Sequence, residues 1–322
     1  MEYRKLGKWG IKVSTIGLGS WLTTGTTINQ ADNDKLVNHA YNLGINFFDT
    51  ANVYALGQAE VVMGKSLKSI KRDNIVLATK VFFPMGDGPN DKGLSRKHVF
   101  EQCNQSLKRL NVDYIDLYQC HRYDPAVPMY ELVQTMHDLT VAGKILYWGV
   151  SEWPASQIQA ACDMAYELKV MPPISNQPCY NLLHRTIESD VIPVCESMGL
   201  GQLVFSPLAQ GVLTGKYKPH KPLPPDSRAG NENINMFLKG RNYLETEVLE
   251  AVEKFATLAV IHKTTAASLA LAWCLRNQNV TSAIIGATKE QQLDENVKAI
   301  NLKLVDDLFV EAEKILKPYA DL

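Results

Sequence analysis

A buried-strand pattern followed by an amphipathic helical pattern recurs eight times along this chain, and no other feature restricts the fold as strongly. The strand-like runs are Thr15–Ser20, Asn46–Thr50, Ile75–Lys80, Tyr114–His121, Ile145–Ser151, Ile174–Gln177, Leu203–Ser206 and Ala283–Gly286. Helices are expected over 31–43, 59–70, 95–110 and 129–142, from Pro154, over 186–198, as a pair over 244–262 and 266–277, and from Thr288. There Thr288-Lys289-Glu290-Gln291 reads as a capping box. Eight such units predict a (β/α)8, or TIM, barrel occupying 1–322 as one domain. Residues 1–14 read as a hairpin that would plug its N-terminal end, and 305–318 as an extra C-terminal helix. A doubly wound sheet is the alternative. Eight units are many for it, and Gly17-Leu18-Gly19-Ser20-Trp21-Leu22 has Leu22 where a dinucleotide fingerprint places its third glycine. The alternation pauses at 208–243, a Gly-, Pro- and Lys-rich stretch that reads as a functional flap or belt.

Composition narrows the class of function. A net charge of −1 gives no basic field for nucleic acid or an anionic membrane surface. No apolar run approaches membrane-spanning length, so no membrane insertion is expected. Met1–Lys5 lacks the apolar core of a signal peptide. The six cysteines are scattered without a CxxC pair, which fits free thiols in a reducing, cytoplasmic setting and no metal site.

In a (β/α)8 barrel the chemistry gathers where the strands end. Strand two ends on Asp49 with Tyr54 just beyond it, strand three on Lys80 and strand four on His121. Singly, each has a plainer explanation: a turn cap, a packed loop ring, a surface lysine, a loop histidine. Together on three consecutive strands they suit one task. Asp49 would keep Lys80 charged, and the ammonium would lower the pKa of Tyr54 so that it donates a proton near neutral pH. His121 would orient the same substrate oxygen. The set suits protonation of a carbonyl oxygen as hydride reaches carbon. It contains neither a nucleophile–base pair nor a metal-ligand cluster. No side chain supplies hydride, so a nicotinamide cofactor is implied.

The sequence resembles the aldo-keto reductases, and within them the potassium-channel β-subunit-like branch. The resemblance is carried by Asp49-Thr50-Ala51 with Tyr54, Ala78-Thr79-Lys80, Asp116–His121, Gly149-Val150-Ser151, Asn176-Gln177 with Tyr180, Phe205–Ala209 with Gly211–Tyr217, and Ile285-Gly286-Ala287 with Glu295-Asn296. It implies the tetrad Asp49, Tyr54, Lys80 and His121, with NADPH/NADP+ lying across the barrel mouth. Ser151 and Gln177 would hold the nicotinamide carboxamide, and Phe205 would stack on the ring. Ser206, Leu208 and Lys216 would line the pyrophosphate, with Arg228 closing over it. Gly286, Thr288, Gln292, Glu295 and Asn296 would hold the adenosine end. Ser20, Trp21, Asp49 and Pro207 complete the implied cofactor contacts. Three positions are distinctive: Glu152 where relatives often carry Asn or Arg, Gln292 where many monomeric members have an Arg for the 2′-phosphate, and His121 where animal channel subunits tend to have Asn.

Two functions follow. One is NADPH-dependent reduction of aldehydes or ketones to alcohols. The other is a redox-sensing regulatory subunit that docks on a channel's cytoplasmic domain. The branch further implies a homotetramer. Trp21, Phe82 and Trp153 are candidates for an apolar substrate pocket, or for simple packing.

Overall fold

A computed structural model of the chain describes residues 1–232, 234, 235, 238, 240–302 and 306–321. Strands β1 (Tyr3–Lys5) and β2 (Lys12–Ser14) form an antiparallel hairpin with Tyr3 opposite Ser14. Eight parallel strands follow: β3 (Ile16–Gly19), β4 (Phe47–Asp49), β5 (Val76–Val81), β6 (Ile115–Cys120), β7 (Ile145–Val150), β8 (Ser175–Asn176), β9 (Gly201–Phe205) and β10 (Val280–Ile285). They close in sequence order, with β10 pairing back on β3 through Ala283 and Ile16. The barrel read from the alternation is the barrel observed.

Helices α1 (Gln30–Asn42), α2 (Gln58–Leu67), α3 (Arg96–Leu110), α4 (Met129–Val141), α5 (Ala155–Leu168) and α6 (Val191–Met198) cover the first six barrel strands. After β9 come α7 (Thr246–Ile261) and α8 (Ala266–Arg276). After β10 come α9 (Glu290–Lys298) and α10 (Asp306–Leu316), the latter packed against α7. Local signals set several starts: the side chains of Asn29, Ser95 and Thr265 accept from backbone N–H groups in the first turns of α1, α3 and α8.

Strand alternation divides the apolar residues between two cores. Phe47, Val76, Ala78, Leu117, Ile174, Leu203 and Ile284 fill the barrel interior. Phe48, Leu77, Tyr118, Cys120, Val150, Val204 and Ile285 face the helices. Leu6 and Val13 of the hairpin belong to the interior cluster and are fully buried, so the hairpin plugs the barrel. Burying each such side chain contributes about 1.5–3 kcal/mol. The hairpin turn sits so close to the β8–β9 connection that a Cβ on Gly7, whose φ is +59°, would stand 2.2 Å from the Gly199 carbonyl oxygen. Only glycine fits there.

Several boundaries differ from the sequence reading. The helix expected over 186–198 is a 3-10 turn at Thr186–Glu188 and then α6, because the Asp190 carboxylate accepts from Val191 N–H and starts a new helix. Strand β10 begins three residues early. Thr281 and Ser282 are polar but buried, and Thr281 Oγ1 donates to the Lys5 carbonyl of the plug. The capping frame before α9 lies one residue later than expected: Gln292 Oε1 accepts from Lys289 N–H at 3.3 Å and from Thr288 N–H at 2.8 Å. Within 208–243 the described residues form short 3-10 and turn structure, including Ala209–Thr214. Of the expected C-terminal helix, Val305 lies outside the described residues. All six cysteines are buried free thiols. Among the described residues no single helix is long and apolar enough to cross a membrane.

Candidate active site

Continuing the interior face of each strand toward its C-terminal end leads from apolar to reactive side chains. Phe47 is followed two residues on by Asp49, Ala78 by Lys80, and Leu117 by Gln119 and then His121. These polar side chains therefore sit directly on the barrel core. Beyond β4 the backbone keeps pairing with β5: Thr50 N–H donates to Ala78 O at 2.9 Å and Asn52 N–H to Lys80 O at 3.2 Å. The Asn52-Val53 step is thus an extension of the ladder, braced by Asn52 Nδ2 on Gln102 Oε1 at 3.1 Å. Left-handed Ala55 (φ +49°) and Leu56 (φ +50°) then turn the chain into α2. That conformation costs about 1–2 kcal/mol per residue, and such strain gathers at functional sites.

Lys80 Nζ lies 2.6 Å from Asp49 Oδ2, 2.8 Å from the Thr50 carbonyl oxygen and 3.4 Å from Tyr54 OH. The other carboxylate oxygen of Asp49 accepts from Gln177 Nε2 at 2.9 Å and Gln119 Nε2 at 3.3 Å. Lys80 is fully buried and Asp49 only 4% exposed, so the pair is held by geometry rather than by solvent. The His121 ring stands edge-on to Tyr54, centroids 5.8 Å apart, and edge-on to Phe83 at 4.9 Å. Its Nδ1 is buried with no hydrogen-bond partner among the described residues. The structure therefore brings Asp49, Tyr54, Lys80 and His121 together.

Electrostatics correct one expectation. Burial raises the pKa of Tyr54; the neighbouring Lys80 ammonium pulls it down, and the net result stays above the ordinary 10. The lysine moderates the phenol without bringing it to neutrality. Burial opposes the charge of Lys80, but Asp49 and then Tyr54 outweigh it, and its pKa is raised. Burial, with Lys80 and Arg122 nearby, pushes the His121 imidazole well below its usual range, so the ring is neutral at pH 7.

The other expected residues fall into two groups. Around the tetrad, Ser20 Oγ donates to Thr50 Oγ1 at 2.8 Å, and Ser151 Oγ to the Gln177 carbonyl at 2.8 Å. Trp21 lies 6.5 Å from the Tyr54 ring and 6.4 Å from Phe205. Ser206, Pro207 and Leu208 continue from β9, beside the end of β10, where Ile284 is the partner of Phe205. Gln210 joins this turn to the belt, donating to Ser206 Oγ at 2.6 Å and accepting from Arg228. Lys216 is exposed, and its ammonium lies beside Gly211. The second group opens α9. Gly286, Thr288 and Gln292 are exposed, Glu295 is half-buried and Asn296 buried, with Glu295 O accepting from Ser268 Oγ. Gln292 spends its oxygen on the helix cap, which leaves only its NH2 for a ligand. Glu152, with φ +56°, accepts from Cys179 N–H at 2.5 Å and so ties β7 to the segment after β8.

The aldo/keto reductase family model matches residues 15–317. The chain belongs to the aldo/keto reductase family. The family is one of oxidoreductases whose members typically use NAD(P)H. Within it, the chain is 43% identical over 305 residues to the Arabidopsis thaliana protein named "Probable voltage-gated potassium channel subunit beta", covering 94% of this chain and 92% of that protein. An Oryza sativa subsp. japonica protein of the same name has the same identity and coverage. A similarly named Schizosaccharomyces pombe protein is 40% identical over 98% of this chain and 93% of its own.

Against the family pattern, the structure adds side chains that the sequence reading missed. Gln119 holds Asp49. Its position two residues before His121 on an interior face was the available signal. Phe83, not Phe82, meets His121, while Phe82 packs on Phe83. Trp153 is buried against Tyr123 at 5.1 Å and belongs to the core. Arg122, which no motif in the sequence marks, carries a charge that reaches both His121 and Tyr54.

Proposed function

We propose that this chain reduces aldehydes or ketones to alcohols with NADPH, using Tyr54 as the proton donor. The observation that carries this reading is Lys80 Nζ placed between Asp49 Oδ2 at 2.6 Å and Tyr54 OH at 3.4 Å, at the C-terminal ends of the strands. Asp49 keeps the ammonium charged and fixes its position. Lys80 stabilises the phenolate that Tyr54 becomes as its proton passes to the substrate oxygen, and apo distances of this kind shorten when substrate binds. Neutral His121 offers a hydrogen bond to the same oxygen without adding a second positive charge.

The residues present fit a nicotinamide dinucleotide. Arg228 is a half-buried guanidinium whose pKa burial lowers, and it has no carboxylate partner among the described residues. An anionic phosphate group would answer that charge. Ser151 and Gln177 would hold the carboxamide and Phe205 the ring, with Ser20 and Trp21 beside them. Ser206, Pro207, Leu208 and Lys216 would flank the phosphates. The exposed start of α9 at Gly286 and Thr288, with Gln292, Glu295 and Asn296, would take the adenosine end, where helix amides favour an anion. Bound there, the nicotinamide would supply hydride equivalents. With Gln292 engaged in the cap, preference for the 2′-phosphate rests on Thr288 and Lys289.

The relatives are named as voltage-gated potassium channel β subunits, which favours a second reading as a channel's regulatory subunit; docking on a channel's cytoplasmic domain, as a homotetramer in the cytoplasm, is our extension of that reading. The two readings are compatible. NADPH oxidation against a panel of aldehydes, for wild type and Tyr54→Phe, separates them. We expect turnover in the wild type and a loss of about 10²–10⁴-fold in kcat for the variant, with cofactor binding kept. Tight cofactor binding without turnover of any carbonyl compound would leave only the regulatory reading. A Tyr54→Phe variant that kept most of its rate would overturn the mechanism.

A further inference from the structure

Arg122 follows His121 directly, two residues past the end of β6, and is half-buried. It donates to the His121 carbonyl at 2.5 Å, and its guanidinium carbon lies 5.5 Å from the centre of the Phe83 ring. Phe83 in turn stands against His121, and His121 against Tyr54. The guanidinium is therefore fixed on the same wall of the mouth as the reactive phenol.

No carboxylate pairs with it among the described residues. Two acids that flank it, Asp124 two residues on and Glu152 beyond the neighbouring β7, are engaged by backbone amides. Asp124 accepts from Leu94 N–H at 2.8 Å and Ala126 N–H at 3.0 Å, and Glu152 from Cys179 N–H at 2.5 Å. Asp49, the acid at the centre of the site, is taken by Lys80, Gln177 and Gln119. Arg228 is set against Trp21 instead, its guanidinium carbon 5.8 Å from that ring, and the cofactor phosphates would answer it. A partly desolvated guanidinium without an anion is costly to keep, and its planar fork matches a carboxylate or a phosphate.

The geometry points to Arg122 as the receptor for an anionic group on the carbonyl substrate, so that aldehydes or ketones carrying a carboxylate or phosphate are the preferred substrate class. This inference rests on the reductase reading of the same site. It also explains why a positive charge persists where it opposes protonation of His121 and favours the phenolate of Tyr54. With the anion seated on Arg122, the reacting carbonyl would be presented across the Phe83 and His121 rings toward Tyr54.

The test compares three para-substituted benzaldehydes: 4-formylbenzoate, 4-formylphenyl phosphate and neutral 4-nitrobenzaldehyde. Steady-state NADPH oxidation is followed for wild type, Arg122→Lys and Arg122→Met, together with calorimetric binding of terephthalate to the NADP+ complex. The wild type should favour at least one anionic aldehyde over the neutral one. Arg122→Met should lower that kcat/KM ratio by about a hundredfold, mainly through KM. Arg122→Lys should fall between them, since it keeps the charge and loses the fork. Which anion shows the larger effect distinguishes carboxylate from phosphate. A wild type indifferent to charge, or an Arg122→Met variant that slows all three substrates equally, overturns the inference while leaving the reductase reading intact. Terephthalate binding that depends on Arg122 without turnover of any aldehyde would instead retain the anion site and remove the reductase reading. Terephthalate binding unaffected by Arg122→Met would count against the anion site.

Discussion

The Lys80 ammonium and the Asp49 carboxylate meet at 2.6 Å inside the barrel, with Lys80 wholly removed from solvent. A pair buried this deeply stabilises the fold little in net terms, because desolvation offsets the attraction, but splitting it is expensive. Asp49→Asn keeps an oxygen for Gln177 and Gln119 but leaves Lys80 with an uncompensated charge. It should lower unfolding stability by about 3–5 kcal/mol. The double variant Asp49→Asn, Lys80→Met should recover most of that loss. Urea denaturation of the three proteins checks this; a double variant no more stable than Asp49→Asn would mean that the pair is not what is being lost.

His121 sets an acid limit on stability. Its pKa is lowered in the fold, mainly by burial, so below about pH 6.5 the unfolded chain binds a proton that the folded chain refuses. Stability is then full above the unfolded pKa and falls with pH by about 1.4 kcal/mol per unit for this one group. His121→Asn should flatten that slope between pH 6.5 and 5. His98, also buried and shifted down by burial, contributes in the same direction, so His98→Gln belongs in the comparison. Thermal or urea unfolding across the pH series gives the slopes directly. An unchanged slope in both variants would contradict the assignment.

Gly64 lies on α2 where it crosses the end of α3. A Cβ there would stand 2.3 Å from the Leu110 carbonyl oxygen, a backbone atom that cannot swing aside. Alanine is the better helix former by about 1 kcal/mol, yet Gly64→Ala should destabilise the protein by about 1–3 kcal/mol. Gly10→Ala, whose added Cβ meets nothing within 4 Å, serves as the control and should be near neutral. Equal stability for the two variants would show that α2 and α3 can separate at little cost.

How far the sequence could be read depended on the kind of physics involved. The eight strands were legible because parallel strands buried on both faces are nearly continuous apolar runs. The tetrad was legible because strand ends converge in a closed barrel, so Asp49, Lys80 and His121 needed only their places in the order. Boundaries were less so. Asp190 restarts a helix that apolar periodicity would run through, and Thr281 and Ser282 hide a buried strand start behind polar side chains. The pKa of Tyr54 was not legible at all. Sequence names the lysine that lowers it but not the depth of burial that outweighs that lysine. Arg122 and Phe83 escaped notice because what matters is their contact with His121 across a loop, which no local pattern encodes.

The hairpin plug carries a consequence for traffic. Among the described residues, Leu6 and Val13 close the N-terminal end over a packed interior, so a molecule bound for Lys80 approaches from the C-terminal ends of the strands.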